Sequence, residues 1–272
     1  MLTDADFAIV ADEMKRRTGT IIPREWNAIA ETRLAPLARR EGYGAVAELI
    51  QIARIKNEPR TWTAIADALL QTETRFFRDR GTFERLRKDI IPELVRRRQG
   101  GHLKIWCAGA GTGQEAYSIA MLMDELRAEG LPGAEITATD VSERQLEKAR
   151  AGLYTQFEVQ RGLPIRKLIA YFEKAGDLWR ISDRLRAAVR FEAHNLLTHP
   201  GELGRFDIIL CCNVITAFGP ATRIDTINRI GDALAPDGVL ILGAHETLPD
   251  GAGGFAGGNG IFQRSAAARK AA

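Results

Sequence analysis

The chain has 272 residues, 45% hydrophobic and 27% charged, enough for a globular protein with a sizeable core in one large or two modest domains. Its formal charge is only +3: residues 1–100 carry 19 Lys and Arg against 15 Asp and Glu, and the remainder nets −1. That balance tilts the N-terminal part towards an acidic partner but falls well short of a nucleic-acid footprint. No apolar run approaches the roughly 20 residues that span a bilayer, and the acidic start Met1-Leu2-Thr3-Asp4-Ala5-Asp6 is unlike a signal peptide, so a cytoplasmic protein without membrane insertion is expected.

Residues 1–100 read as helical. Thr3 precedes an apolar side made by Phe7, Val10 and Met14, and after Pro23 a second stripe runs through Trp26, Ile29, Ala30, Leu34 and Leu37. Arg33, Arg39 and Arg40 fall mostly off that stripe. Further amphipathic helices fit 44–55, 61–70 and 80–98.

From His102 short β-rich runs alternate with helices, the pattern of a parallel sheet built from βαβ units. Strands are expected at 103–108, 135–139, 188–192, 206–211 and 238–243, with a short last one at 261–263. Ala116, Ile119, Ala120, Met123 and Leu126 mark the helix after the first strand. Ser142 with Gln145 forms a capping box for the next, and Pro220 opens a later helix through Ile224, Ile227, Ile230 and Leu234. Pro236-Asp237-Gly238 reads as the turn into the fifth strand. The stretch Leu153–Ala187 is longer than an ordinary connection and shows no clear hairpin signal. Ser265–Ala272 reads as a disordered end.

Ile105 to Glu115 carries the strongest chemical signal: an apolar strand ends in Gly109-Ala110-Gly111-Thr112-Gly113 and reopens as a helix. Glycines allow a tight turn and close approach of a ligand to the main chain, and the helix N-terminus behind them offers free N–H groups. The next strand ends in Thr139-Asp140, where an acid can hold ribose hydroxyls; the competing reading of Asp140 is a helix N-cap. The spacing does not match the dinucleotide fingerprint GxGxxG. Cys107 and Cys211 read as small core hydrophobes, and four scattered histidines with three cysteines give no metal pattern.

Several stretches together resemble the CheR-type chemotaxis receptor methyltransferases, in order and spacing, over nearly the whole chain. They are Gln71-Thr72-Glu73-Thr74-Arg75-Phe76-Phe77-Arg78-Asp79, Ala108 to Ser118, Ala138-Thr139-Asp140-Val141-Ser142, Tyr154 to Pro164, Asn195-Leu196-Leu197 and Asn213-Val214. The resemblance implies an α/β, class I methyltransferase-like (Rossmann-like) fold with a mostly parallel sheet flanked by helices, preceded by a small all-helical N-terminal domain. The division expected is a helical domain at 1–78, a linker helix at 79–100, a catalytic domain at 101–265 and a tail at 266–272.

It further implies S-adenosylmethionine as cofactor, S-adenosylhomocysteine as product, and methylation of glutamates on acidic cytoplasmic helices of chemoreceptors by a monomer. Thr72, Thr74 and Arg78 would meet the cofactor, with Arg78 the catalytic candidate. Ala108 and Glu115 would line the methionine end, Asp140 the ribose, Asn195 and Leu196 the adenine, and Asn213 the amino-acid portion, with Gly109, Gly111 and Cys212 as further cofactor-binding candidates. Arg33, Arg39 and Arg40 are the docking candidates.

The chain also departs from the family. Where members usually read Cys-Arg-Asn-Val-x-Ile-Tyr-Phe, it reads Cys211-Cys212-Asn213-Val214-Ile215-Thr216-Ala217-Phe218, placing Cys212 and Ala217 where an arginine and a tyrosine face the reacting centre. Thr72 replaces an asparagine and Ala116 a proline. The alternative expectation is therefore a degenerate member that binds the cofactor or its product and acts as a regulatory module.

Overall fold

The structure, a computed structural model, describes residues 2–70 and 73–265, so the expectations on Thr72 and on 266–272 lie outside it. The chain forms two compact units, Met1–Thr72 with Thr216–Arg223, and Glu73–Ile215 with Ile224–Ala272.

The first unit is helical: α1 (Asp4–Thr18), α2 (Asn27–Arg40), α3 (Val46–Lys56) and α4 (Pro59–Leu69). Thr3 starts α1 by accepting from the Asp6 N–H at 3.1 Å, and Gly19 stops it at a φ of 78°. Val10, Leu34, Leu49, Ile50 and Ile65 meet in its core without exposure. The Thr216–Arg223 segment is held by main-chain pairing. Thr20 bridges Phe218, and the Ile21 N–H donates to the Ala217 carbonyl at 2.8 Å.

The second unit opens with α5 (Arg80–Arg85), a π-helical stretch Leu86–Ile90, and α6 (Ile91–Arg97), where the sequence suggested one uninterrupted helix. Pro92 is the physical reason: it lacks the N–H that would continue the ladder, and the wider turn before it absorbs the lost bond. Then follow β1 (Leu103–Ala108), α7 (Gln114–Ala128), β2 (Ala134–Asp140) and α8 (Glu143–Ala151).

Next come β3 (Leu153–Thr155), α9 (Gln156–Gln160), α10 (Ile165–Tyr171), β4 (Phe172–Ala175), β5 (Leu178–Ile181) and α11 (Asp183–Ala187). The main fold resumes with β6 (Val189–Ala193), β7 (Phe206–Leu210), α12 (Pro220–Ala233), β8 (Leu234–Ile241), β9 (Phe255–Gly258) and β10 (Ile261–Arg264).

Seven strands form one sheet in the order β6-β2-β1-β7-β8-β10-β9. All neighbours from β6 to β8 run parallel, and only β10 pairs antiparallel, with both β8 and β9. This is the Rossmann-like arrangement expected. The chain winds from β1 outwards to β2 and β6, then returns to the other side of β1 at β7. Such a reversal opens a crevice at the carboxyl ends of the central strands, which gathers the ends of β1, β2 and β7.

Two local readings are corrected. Pro236-Asp237-Gly238 lies inside β8 rather than in a turn before it. Phe206 pairs Leu234 while Ile208 pairs Val239, so the extra residues are absorbed as a bulge, and Arg98 grips Asp237 there with two hydrogen bonds of 2.9 and 2.7 Å. The 153–187 insertion holds a three-stranded antiparallel sheet, β3-β5-β4, including a β4–β5 hairpin. Its signal was small: Gly176, at a φ of 64°, and Asp177 make a two-residue turn between Ala175 and Leu178. Among the described residues no helix is long and apolar enough to cross a membrane.

Candidate active site

The turn after β1 requires its glycines. Gly109, Gly111 and Gly113 have φ values of 76°, 53° and 90°. A Cβ on Gly109 would lie 2.4 Å from Val214 Cγ2, and one on Gly113 2.9 Å from the Ala149 Cβ. The Gly109 and Ala110 N–H groups both donate to the Thr139 carbonyl at 2.8 Å, stitching the turn to the end of β2. From outside, the buried Tyr154 hydroxyl donates to the Thr112 carbonyl at 2.8 Å, so the insertion's first strand braces the turn.

Asp140 closes the other side. Its Oδ2 accepts from the Gly111 N–H at 2.8 Å and its Oδ1 from the Ser142 N–H at 3.0 Å. The N-cap of α8 is Ser142, whose hydroxyl accepts from the Gln145 N–H, so the helix-cap reading of Asp140 is corrected.

Behind the turn, Glu115 stands in the first turn of α7 with Cys212, Arg78 and Glu246 acting on it. Its carboxyl is pushed up to about 7, first by burial and then by the Glu246 carboxylate, against the opposing pull of a hydrogen bond from Cys212 and the charge of Arg78. Burial, reinforced by Glu115, pushes the Cys212 thiol well up, so it is a protonated donor rather than a reactive thiolate. Cys107 is buried in β1 and Cys211 just after β7, as small core hydrophobes.

Arg78 is aimed by a strained residue. Phe77 has a φ of 46°, unusual for a side chain with a Cβ, and is held there because its N–H donates to Ser118 Oγ at 2.9 Å. Ser118 is fully buried and donates onward to the Gln114 carbonyl at 2.7 Å, so α7 sets the direction of the segment ahead of it. The Arg78 guanidinium also donates to the Glu73 carbonyl and lies 3.8 Å from the Glu73 carboxylate. Thr74 is half-buried just upstream.

The remaining candidates are placed as follows. Ala108 ends β1, buried. Asn195 and Leu196 follow β6, where Asn195 Oδ1 accepts from the Leu197 N–H at 3.0 Å and Leu196 is buried. Asn213 follows β7 at a φ of 59°. Ala217 belongs to the segment grouped with the helical unit. In that unit Arg33 is engaged: it donates to the Leu69 carbonyl at 3.2 Å and sits over the Trp26 ring. Arg39 and Arg40 are exposed, with Arg40 paired to Glu41.

Sequence reasoning passed over Glu246 and the bracing roles of Ser118 and Tyr154. For Glu246 a signal existed: it lies just past the carboxyl end of a central strand, the same placement that singled out Asp140. Its side chain is 8% exposed. Its Oε2 accepts from the Asn213 N–H at 2.7 Å and the Gly243 N–H at 2.6 Å, which ties the ends of β7 and β8 together.

Residues 72–256 match the family model described as CheR methyltransferase, SAM binding domain. The chain belongs to the CheR methyltransferase family. It is 35% identical over 242 residues to the chemotaxis protein methyltransferase Cher2 of Pseudomonas putida, covering 86% of this chain and 87% of that one. It is 34% identical over 251 residues to chemotaxis protein methyltransferase 1 of Pseudomonas aeruginosa, covering 90% and 91%. Against the chemotaxis protein methyltransferase of Salmonella typhimurium it is 30% identical over 252 residues, covering 91% and 85%. As a CheR methyltransferase its cofactor is S-adenosylmethionine. The donor set is consistent with that group: a carboxylate tied to a glycine turn for ribose hydroxyls, and acids beside an arginine for a methionine end that carries both ammonium and carboxylate.

Proposed function

We propose that this protein methylates glutamate side chains on the cytoplasmic helices of chemoreceptors, and that the Asp140 carboxylate tied to the glycine turn, accepting from the Gly111 N–H at 2.8 Å, is the observation that best supports an intact cofactor site. S-adenosylmethionine, when bound, supplies an electrophilic methyl group on a sulfonium. In this reading Asp140 holds the ribose, Glu115 receives the ammonium, and Asn195 and Leu196 flank the adenine. Thr74 borders the same site from the linker, with Ala108, Gly109 and Gly111 along the methionine end and Cys212 and Asn213 at its far side.

The nucleophile is a carboxylate, already ionised at neutral pH, so the transfer needs alignment and exclusion of water rather than a general base. Arg78 does the aligning, through a planar fork of donors suited to a carboxylate. Cys212 contributes a thiol where the family uses arginine, and this leaves Arg78 as the cation of the site. An acidic receptor helix docks on the helical unit through Arg39 and Arg40, whose side chains are exposed, with Arg33 held in the frame beside them.

The test uses methyl-labelled cofactor and receptor membranes with wild type and a Cys212→Arg/Ala217→Tyr double variant. Base-labile label from wild type is the expected result. Label from the double variant alone overturns this reading in favour of a cofactor-binding regulatory module.

A further inference from the structure

The segment that carries Arg78 is gripped by the 153–187 insertion at several places. The Arg161 guanidinium donates to Glu73 Oε1 at 3.0 Å. The buried Phe76 ring meets Tyr154 of β3 and Phe172 of β4 edge-on, at centroid distances of 5.1 and 5.6 Å. Gly162, at a φ of 95°, passes so close to the main chain of Phe76 that a Cβ there would lie 2.1 Å from the carbonyl oxygen. Lys167 of α10 sets its ammonium 4.9 Å from the centre of the Phe77 ring, which also packs edge-on against Phe83 of α5.

The last of these contacts bears on Arg78 most directly. A lysine ammonium ordinarily reaches for water, yet this side chain is 17% exposed and is pinned by an ion pair with Glu125 of α7. A phenylalanine at a φ of 46° persists only where its surroundings over-determine it. The Ser118 hydroxyl fixes the Phe77 N–H, and Lys167 and Phe83 fix the ring. Arg78 is the next residue, so any relaxation of Phe77 towards ordinary backbone angles redirects the guanidinium.

We propose that Lys167 is a positioning residue for methyl transfer: its ammonium, anchored by Glu125, holds the Phe77 ring and so keeps Arg78 aimed. The inference rests on the reading that Arg78 aligns the reacting carboxylate, and Lys167 acts through Phe77 rather than on the reacting atoms. A cation over an aromatic face contributes roughly two- to fivefold in an equilibrium at an exposed site and about thirtyfold when desolvated, so a contact this well covered lies between, near tenfold. The insertion thereby frames the site on both flanks, with Tyr154 bracing the glycine turn and Lys167 the arginine.

The experiment compares wild type, Lys167→Met and Lys167→Arg by amide hydrogen exchange, read by nuclear magnetic resonance, and by transfer of labelled methyl to receptor membranes. Methionine keeps a long unbranched side chain without the charge, and an arginine guanidinium can both cover a ring and pair with a carboxylate. Lys167→Met is expected to speed exchange of the Phe77 amide by roughly tenfold relative to that of Ile105 in β1, and to lower kcat about tenfold with the KM for S-adenosylmethionine within about twofold of wild type. Lys167→Arg is expected to stay within about threefold of wild type in exchange and in kcat. In an Arg78→Ala background, Lys167→Met is expected to lower the rate no further. Unchanged exchange at Phe77, an equal rise at Phe77 and Ile105, failure of arginine to restore kcat, or a loss that persists in full in the Arg78→Ala background each overturns the proposal. Should Lys167→Met not fold, Lys167→Gln removes the same charge and carries the same expectations. If wild type transfers no methyl, the proposed function fails separately, and exchange at Phe77 with its rescue by arginine still decides whether Lys167 holds the segment.

Discussion

Glu115 places a sign and a size on the cost of this site. Its carboxyl titrates near 7 in the folded protein against an ordinary 4.5, because burial and the Glu246 carboxylate disfavour its charge. A folded-state value raised for an acid means that ionisation costs stability: the cost is small below 4.5, builds as pH rises towards 7, and is constant above it. The full gap corresponds to about 3 kcal/mol, and about 2 kcal/mol of it falls between pH 5 and pH 8. Glu115→Gln removes the charge while keeping an acceptor for the Cys212 thiol. The variant is therefore expected to be more stable than wild type, with a gain about 2 kcal/mol larger at pH 8 than at pH 5. Urea unfolding of both proteins across that range reads the difference, and titrating groups that do not interact with Glu115 cancel in the comparison. A gain that does not change with pH refutes the argument. The same substitution is expected to weaken cofactor binding, so stability and function move in opposite directions at one residue.

Three further substitutions test the frame around it. Gly109→Ala forces a Cβ to within 2.4 Å of Val214 at a φ of 76°, and is expected to lose about 2 kcal/mol or more of stability together with calorimetrically detectable cofactor binding. Ser118→Ala leaves the buried Phe77 N–H without its acceptor, costing about 1–3 kcal/mol in chemical unfolding and lowering the rate of methyl transfer by releasing Arg78. Arg98→Ala strips the shared partner from Asp207 and Asp237, which Arg98 contacts at 2.6 and 2.7 Å. A loss of about 3 kcal/mol is expected at pH 7, shrinking towards acid as Asp237, whose carboxyl Arg98 holds below its usual range, becomes protonated in both proteins. Cofactor affinity of the folded Arg98 variant is expected to stay near wild type, since this cluster braces the far ends of β7 and β8.

What the sequence made legible follows from the range of the interactions involved. Helical stripes such as Phe7-Val10-Met14 and apolar runs such as Ile105–Cys107 are local patterns, and the mostly parallel sheet follows from alternating strands and helices. Asp140 was legible for the same reason, since its partners Gly111 and Ser142 belong to the adjoining turns of one βαβ unit. The hairpin at Gly176-Asp177 and the bulge at Pro236–Gly238 were not, because each depends on register with another strand. Pro-Asp-Gly reads as a turn in isolation and becomes a bulge only when Phe206 pairs with Leu234. Glu246 lay deepest: its meaning depends on Asn213 at the end of β7, Gly243 at the end of β8 and Glu115 on α7, three elements whose meeting is a property of the fold. An acid past a strand's carboxyl end is thus a candidate in any such sheet. It becomes a candidate with structure behind it when folding buries it and sets its carboxylate on the amides at the ends of two strands, as with Asn213 and Gly243 here.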